Sequence, residues 1–322
     1  MNYRVIGRTG IQVSQLCFGT MSFGSYADEA ASRAMFARCR EAGINFFDCA
    51  NSYAGSRAES ILGACIDEAG CRDEIVLVTK VCRPMRDGVN GRGLSRHHIM
   101  REVEQSLRRL RTDRIDFYFM HHYDPLTPVE ASLRAFDDLQ RQGKILYPAV
   151  SNWAAWRIAK ALGISERNAW ARFELVQPMY NLVKRQAEVE LFPLAQSEQL
   201  GAIVYSPLAS GLLTGLYGVD RRPAQGRLNE ARYQARYAGR APYEVADAFT
   251  AFCRARGFAP PALAVAWAMS HPAVTAPIVG AETVEQLDGY LAALDIPMDA
   301  ALREEVGALS DAPDGGVERA VD

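Results

Sequence analysis

What most constrains this chain is an alternation that recurs eight times: a short apolar run of strand length, then a segment of helical periodicity. The strand-like runs fall at 16–20, 46–50, 75–80, 115–121, 145–151, 173–179, 202–206 and 275–279. Helices are expected over 28–40, 57–69, 95–110, 128–142, 154–162, 187–200 and 283–294, with a long connection over 209–271 and a short helix near 299–310. Strands separated by helices must run parallel, and eight such units within 322 residues suit one domain over 1–322, an α/β fold closed into a (β/α)8 TIM barrel. The other arrangement, an open doubly wound sheet, would carry a Gly-x-Gly-x-x-Gly turn after its first strand. This sequence has none there. Two apolar runs around Arg8-Thr9-Gly10 predict an N-terminal β-hairpin within 1–14, and the Gly/Asp-rich segment 311–322 reads as a mobile tail.

Charge says what the partner is not. With 36 basic and 38 acidic residues the net charge is −2, so no global field draws the chain to nucleic acid or to an anionic membrane. No apolar stretch approaches the roughly 18 residues of a membrane span, and Met1-Asn2-Tyr3-Arg4-Val5 contains no signal core. The expectation is a cytoplasmic protein with a small-molecule partner. Seven scattered cysteines without Cys-x-x-Cys spacing read as buried small hydrophobes.

In a barrel of this kind the active site forms at the C-terminal ends of the strands. Three successive runs end there on titratable groups: Asp48 with Tyr53 just beyond, Lys80, and His121. A phenol is a poor acid near neutrality, its ordinary pKa being about 10, but an adjacent ammonium lowers it and a carboxylate holds that ammonium in place. A histidine beside the phenol can donate to a carbonyl oxygen. The set suits protonation of a carbonyl that receives a hydride. Other readings stay open at this level: Lys80 as a structural ion-pair partner or a Schiff-base lysine, Asp48 as a turn former. Adjacent His121 and His122 on a strand are expected to face opposite sides, which argues against a shared metal. The loops 83–94 and 209–240 should overhang the rim, with Met21, Phe23, Tyr26, Met85, Tyr123 and Trp153 as candidate pocket residues.

These segments, taken in order, resemble the aldo-keto reductase family. Gly-Arg-Thr-Gly-Ile-Gln-Val-Ser and Cys-Phe-Gly-Thr-Met within 7–21, Asp-x-Ala-x-x-Tyr at 48–53, Val-Thr-Lys at 78–80 and Asp-Phe-Tyr-Phe-Met-His at 116–121 carry the likeness. Gln177-Pro178-x-Tyr180-Asn181 and the run from Tyr205 to Gly215 extend it, and Gly93-Leu94-Ser95-Arg96 resembles the branch that holds bacterial general reductases and potassium-channel β subunits. The resemblance implies an NAD- or NADP-dependent enzyme interconverting an aldehyde or ketone, among them a sugar or aromatic carbonyl, and its alcohol. A nicotinamide-binding regulatory subunit is the other implied role. It assigns Tyr53 as general acid/base, Lys80 and Asp48 as its tuners, and His121 as the group that orients the carbonyl. It implies that Ser151, Asn152 and Gln177 bond the carboxamide, that Tyr205 stacks under the ring, and that Ser206, Leu208 and Gly211 follow the pyrophosphate. Gly280, Glu282 and Gln286 fall in the segment that meets the adenosine end. Glu282 stands where NADP-using members usually carry arginine, which favours NAD.

Overall fold

The computed structural model describes residues 1–315. The last part of the expected tail, 316–322, lies outside the described residues, and 311–315 form no regular element. β1 (Tyr3–Val5) and β2 (Gln12–Ser14) pair antiparallel as the hairpin. β3 (Cys17–Gly19), β4 (Phe46–Asp48), β5 (Val76–Val81), β6 (Ile115–Met120), β7 (Ile145–Ser151), β8 (Leu175–Gln177), β9 (Gly201–Val204) and β10 (Ala276–Val279) follow. They pair in chain order, all parallel, and β10 returns to β3 to close the barrel.

Period two on each strand builds both apolar layers. Phe46, Val76, Val78, Phe117, Phe119 and Leu175 fill the interior, while Phe47, Leu77, Tyr118, Val150 and Val176 meet the helices. Ile6 and Val13 belong to the interior cluster, so the hairpin plugs the N-terminal end. The opposite mouth is left for chemistry.

The helices are α1 (Glu29–Glu41), α2 (Arg57–Glu68), α3 (Arg96–Leu110), α4 (Val129–Arg141), α5 (Ala155–Asn168), α6 (Leu191–Ser197), α7 (Ala231–Arg236), α8 (Ala241–Arg256), α9 (Pro260–Met269), α10 (Val284–Leu291) and α11 (Ala300–Gly307). Asp28, Ser95, Thr283 and Asp299 cap α1, α3, α10 and α11 through their side chains. α5 runs past its expected end at 162, because Gly163 sits in open space and the left-handed stop comes only at Ala169. α6 is shorter than expected: Pro193 has no N–H to give and fits only a first turn, so the helix starts at Leu191. The connection over 209–271 contains α7, α8 and α9, and no described helix is long and apolar enough to cross a membrane.

α2 and α3 touch at Gly63, where an added Cβ would lie 2.4 Å from Arg109 O and 2.6 Å from Leu110 Cα. Both are backbone atoms, so the helices would have to part. Gly63→Ala should therefore lower the unfolding free energy by about 1–3 kcal/mol despite alanine's better helix propensity. An unchanged or raised urea midpoint in that variant would show that the contact yields.

Candidate active site

Asp48 closes β4, and Tyr53 leads the turn that follows, where Ala54, Gly55 and Ser56 all take positive φ (50°, 62° and 76°). Two non-glycine residues in that region mark a turn held by its surroundings. The Tyr53 N–H donates to Ala50 O (3.1 Å), the Asn51 N–H to Lys80 O (3.3 Å), and the Ser56 hydroxyl to Asn51 O (2.9 Å). The Asn51 amide also donates to buried Glu102 of α3 (3.2 Å). The phenol is thus aimed by a loop tied to β5 and to α3.

Lys80, on β5, is fully buried. Its ammonium lies 2.6 and 2.7 Å from the two Asp48 oxygens, 2.7 Å from Cys49 O and 3.3 Å from the Tyr53 hydroxyl. Three protons serve Asp48, Cys49 and Tyr53, and none is left over. Burial pushes the ammonium pKa down, but Asp48 and Tyr53 outweigh it and the net direction is up. An ammonium whose protons are all engaged is poorly placed to act as a Schiff-base nucleophile, which argues against that reading of Lys80.

Burial outweighs Lys80, which pulls the phenol's pKa down as expected. Burial pushes the Tyr53 pKa up to about 12, with Asp48 adding to the rise and Lys80 pulling against both. The hydroxyl's desolvation exceeds the ammonium's attraction. His121 is also buried, and burial first, then Lys80, His122 and Arg83, hold its imidazole pKa well below the usual range, so it stays neutral. Its ring meets that of Tyr53 edge-on at 6.1 Å, and its Nδ1 has no hydrogen-bond partner among the described residues. His121 and His122 do not face opposite sides. β6 ends at Met120, so strict alternation has lapsed, and the two rings stack at 4.9 Å. No cluster of three potential metal ligands occurs among the described residues.

The residues assigned to a nicotinamide form a connected rim. Ser151 donates to Gln177 O (2.8 Å); the Asn152 amide donates to His121 O (2.9 Å) and Ser151 Oγ (3.0 Å); the Tyr205 hydroxyl donates to Asn152 Oδ1 (2.8 Å). Tyr205 packs on the barrel interior with its ring held at the mouth, as a stacking platform must be. Gln177 has a role the sequence did not reveal: its amide donates to Asp48 Oδ1 across the barrel (2.8 Å). Beyond Tyr205, Ser206, Ala209, Ser210 and Gly211 all have positive φ, and the Gly211 N–H donates to Leu208 O (2.9 Å). These left-handed residues make a tight loop directly after β9, at the end of the strands where an anionic cofactor group is expected. Asn181, a motif residue without an assigned role, pins this loop by donating to Ser206 O (2.9 Å) and the Tyr237 hydroxyl (3.3 Å).

At the far end, Gly280 follows β10, and the Gln286 side chain turns back to accept from the Glu282 N–H (2.9 Å). Glu282 is not alone: its Oε1 lies 3.7 Å from Arg227 Nε. Arg227 also lies over the Tyr26 ring (5.1 Å), and the Tyr26 hydroxyl donates to the Glu230 carboxylate. The long loop after β9 therefore reaches over the rim beside β10 and β3, where 209–240 is expected to overhang. The loop over 83–94 is tied down through Asp124, which accepts from the Leu94 N–H (2.7 Å). A side chain at Gly93 (φ 92°) would strike that carboxylate at 2.6 Å. Two candidate pocket residues are not exposed at the mouth. Phe23 is core against Phe18, and Trp153 is buried against Phe173 and Tyr123.

The sequence is similar to those of known proteins. The model of the "Aldo/keto reductase family" matches residues 15–311. A Bacillus subtilis (strain 168) protein named "Uncharacterized oxidoreductase YrpG" is 36% identical over 329 aligned positions, covering 98% of both chains. Proteins named "Probable voltage-gated potassium channel subunit beta" from Oryza sativa subsp. japonica and Arabidopsis thaliana are 35% and 34% identical, each covering 92% of both chains.

Proposed function

The chain belongs to the aldo/keto reductase family of oxidoreductases, and on that premise we propose that it interconverts an aldehyde or ketone and its alcohol, with Tyr53 as general acid/base. The observation that carries the reading is the ammonium of Lys80 held between Asp48 and the Tyr53 hydroxyl. When bound, the nicotinamide supplies or accepts the hydride. Tyr53 donates its proton to the carbonyl oxygen in reduction and takes it back in oxidation. Neutral His121 orients that oxygen, and Lys80 stabilises the phenolate that remains. Ser151, Asn152, Gln177 and Tyr205 would hold the nicotinamide end, and the loop from Ser206 to Gly211 the pyrophosphate. Following the absorbance of reduced nicotinamide with panels of aldehydes, ketones, sugars and alcohols tests the reading in both directions.

The similarity to two plant proteins named as channel subunits favours a second reading, a nicotinamide-binding regulatory subunit. Tight cofactor binding without turnover on any panel member would select it. The complete set of Asp48, Tyr53, Lys80 and His121 supports the enzyme.

For the cofactor, Glu282 favours NAD over NADP twice over. Its carboxylate repels a 2′-phosphate, and it lies 3.7 Å from Arg227, a cation that would otherwise be available to that phosphate. Glu282→Arg removes the repulsion and releases Arg227. The ratio of NADP to NAD affinity should rise by about 10–100-fold, one to two steps of 1.4 kcal/mol. Dissociation constants for both cofactors in both proteins check this, and an unchanged ratio would take Glu282 out of the cofactor site.

A further inference from the structure

Beside the barrel mouth a cleft of about 350 Å³ opens between the ends of β7 and β8 and the chain that leads into α6. Its apolar wall, Trp153, Val176, Ala187 and Leu191, belongs to the layer between barrel and helices rather than to the barrel interior. Asp48, Tyr53, Lys80 and His121 take no part in its lining. The cleft therefore lies outside the four-residue reaction centre but borders the proposed nicotinamide end, since Asn152 and Gln177 line it too. Two of its residues nonetheless touch that centre from behind: Asn152 donates to His121 O, and Gln177 to Asp48.

The charge around it is one-sided. Lys184 and Arg236 line the cleft, and no acidic residue does. Nearby arginines are neutralised, Arg185 by Glu188 (3.0 Å) and Arg172 by Glu198 (3.6 Å). Lys184 and Arg236, both half-buried, have no carboxylate partner among the described residues; Arg236 has only the Tyr233 ring beneath it, at 5.6 Å. Two unneutralised cations over an apolar wall leave a place for a negative charge attached to a flat hydrophobic body.

We propose that this cleft is a binding site for a small aromatic carboxylate. The carboxylate lies with Lys184 and Arg236, and the ring system lies on Trp153, Met179 and Leu191. The volume falls at the low end for ligand pockets, which suits one or two fused rings. An occupant contacts Asn152 and Gln177 without reaching Tyr53.

Calorimetric titration of the full chain with 2-naphthoate tests the site without relying on turnover, so failure here is distinguishable from failure of the proposed reaction. The expected result is saturable binding of one probe per chain. It should weaken about tenfold or more for the uncharged 2-naphthamide, and by a similar factor in the Lys184→Ala/Arg236→Ala variant. Lys184→Ala alone, leaving the long loop after β9 untouched, should show part of that loss. His121→Phe, which reshapes the barrel mouth and not the cleft, should bind the probe as the wild type does. No saturable binding, equal affinity for acid and amide, or loss of binding in His121→Phe with none in the double variant would overturn the assignment.

Discussion

Replacing Tyr53 by Phe should lower turnover by roughly 10²–10⁴-fold, the range for removing a positioned acid/base, and leave folding and cofactor affinity close to wild type. One oxygen is lost from a half-buried ring whose edge-on contact with His121 persists. Of the four contacts to the Lys80 ammonium, the one removed is the longest, at 3.3 Å, while both Asp48 contacts and Cys49 O remain. The structural loss is therefore small and the chemical loss large. The pH dependence sharpens the test. With the phenol pushed up to about 12, Tyr53 carries its proton at every ordinary pH, so it is a ready acid for reduction. Oxidation needs the phenolate, whose fraction grows tenfold per pH unit below that value, so the oxidation rate of the wild type should climb with pH. In Tyr53→Phe that climb should vanish. Turnover near the wild-type level, or an unaltered slope, would end the proposed mechanism.

The features that were readable in the sequence are those fixed by local physics. Strand runs such as 75–80 and 115–121 are apolar on both faces and bounded by turn residues, and that is what a parallel barrel wall demands. Asp48, Lys80 and His121 fall at strand ends, so the barrel itself brings them to one rim. What escaped the sequence depends on contacts made after the barrel closes. Gln177 reaches Asp48 from the other side of the mouth, 129 positions away in the chain. Arg227 and Glu282 meet because the loop after β9 folds back over β10. The stacking of His121 on His122 follows from β6 ending one residue early, and no periodicity argument sees that. The rise of the Tyr53 pKa likewise reflects desolvation, a property of the assembled site rather than of its residue types.

Lys80→Met should be costly in two separable ways. Asp48 would lose the partner that meets both of its oxygens and keep only the Gln177 amide in a site nearly closed to water. Removing one partner of a buried ion pair typically costs about 3–5 kcal/mol of stability. Because the folded-state pKa of Lys80 is raised, that contribution is present at all pH values below the ordinary lysine value of about 10.4, and declines only above it. The stability gap between wild type and variant should therefore hold from neutral into alkaline solution. The second loss is chemical. Without the ammonium, nothing positive opposes the burial that raises the phenol, so the Tyr53 pKa climbs further and the alkaline rise of any residual oxidation moves to higher pH. A paired replacement, Asp48→Leu with Lys80→Met, distinguishes the two. Removing both charges relieves the unpaired carboxylate and should recover much of the lost stability, since buried pairs are often replaceable by apolar groups. Activity should stay lost, because the phenol still lacks its cation. Urea unfolding and turnover of the three proteins measure both effects. If the double variant regained activity along with stability, Lys80 would be a structural partner of Asp48 and no part of the proton chemistry.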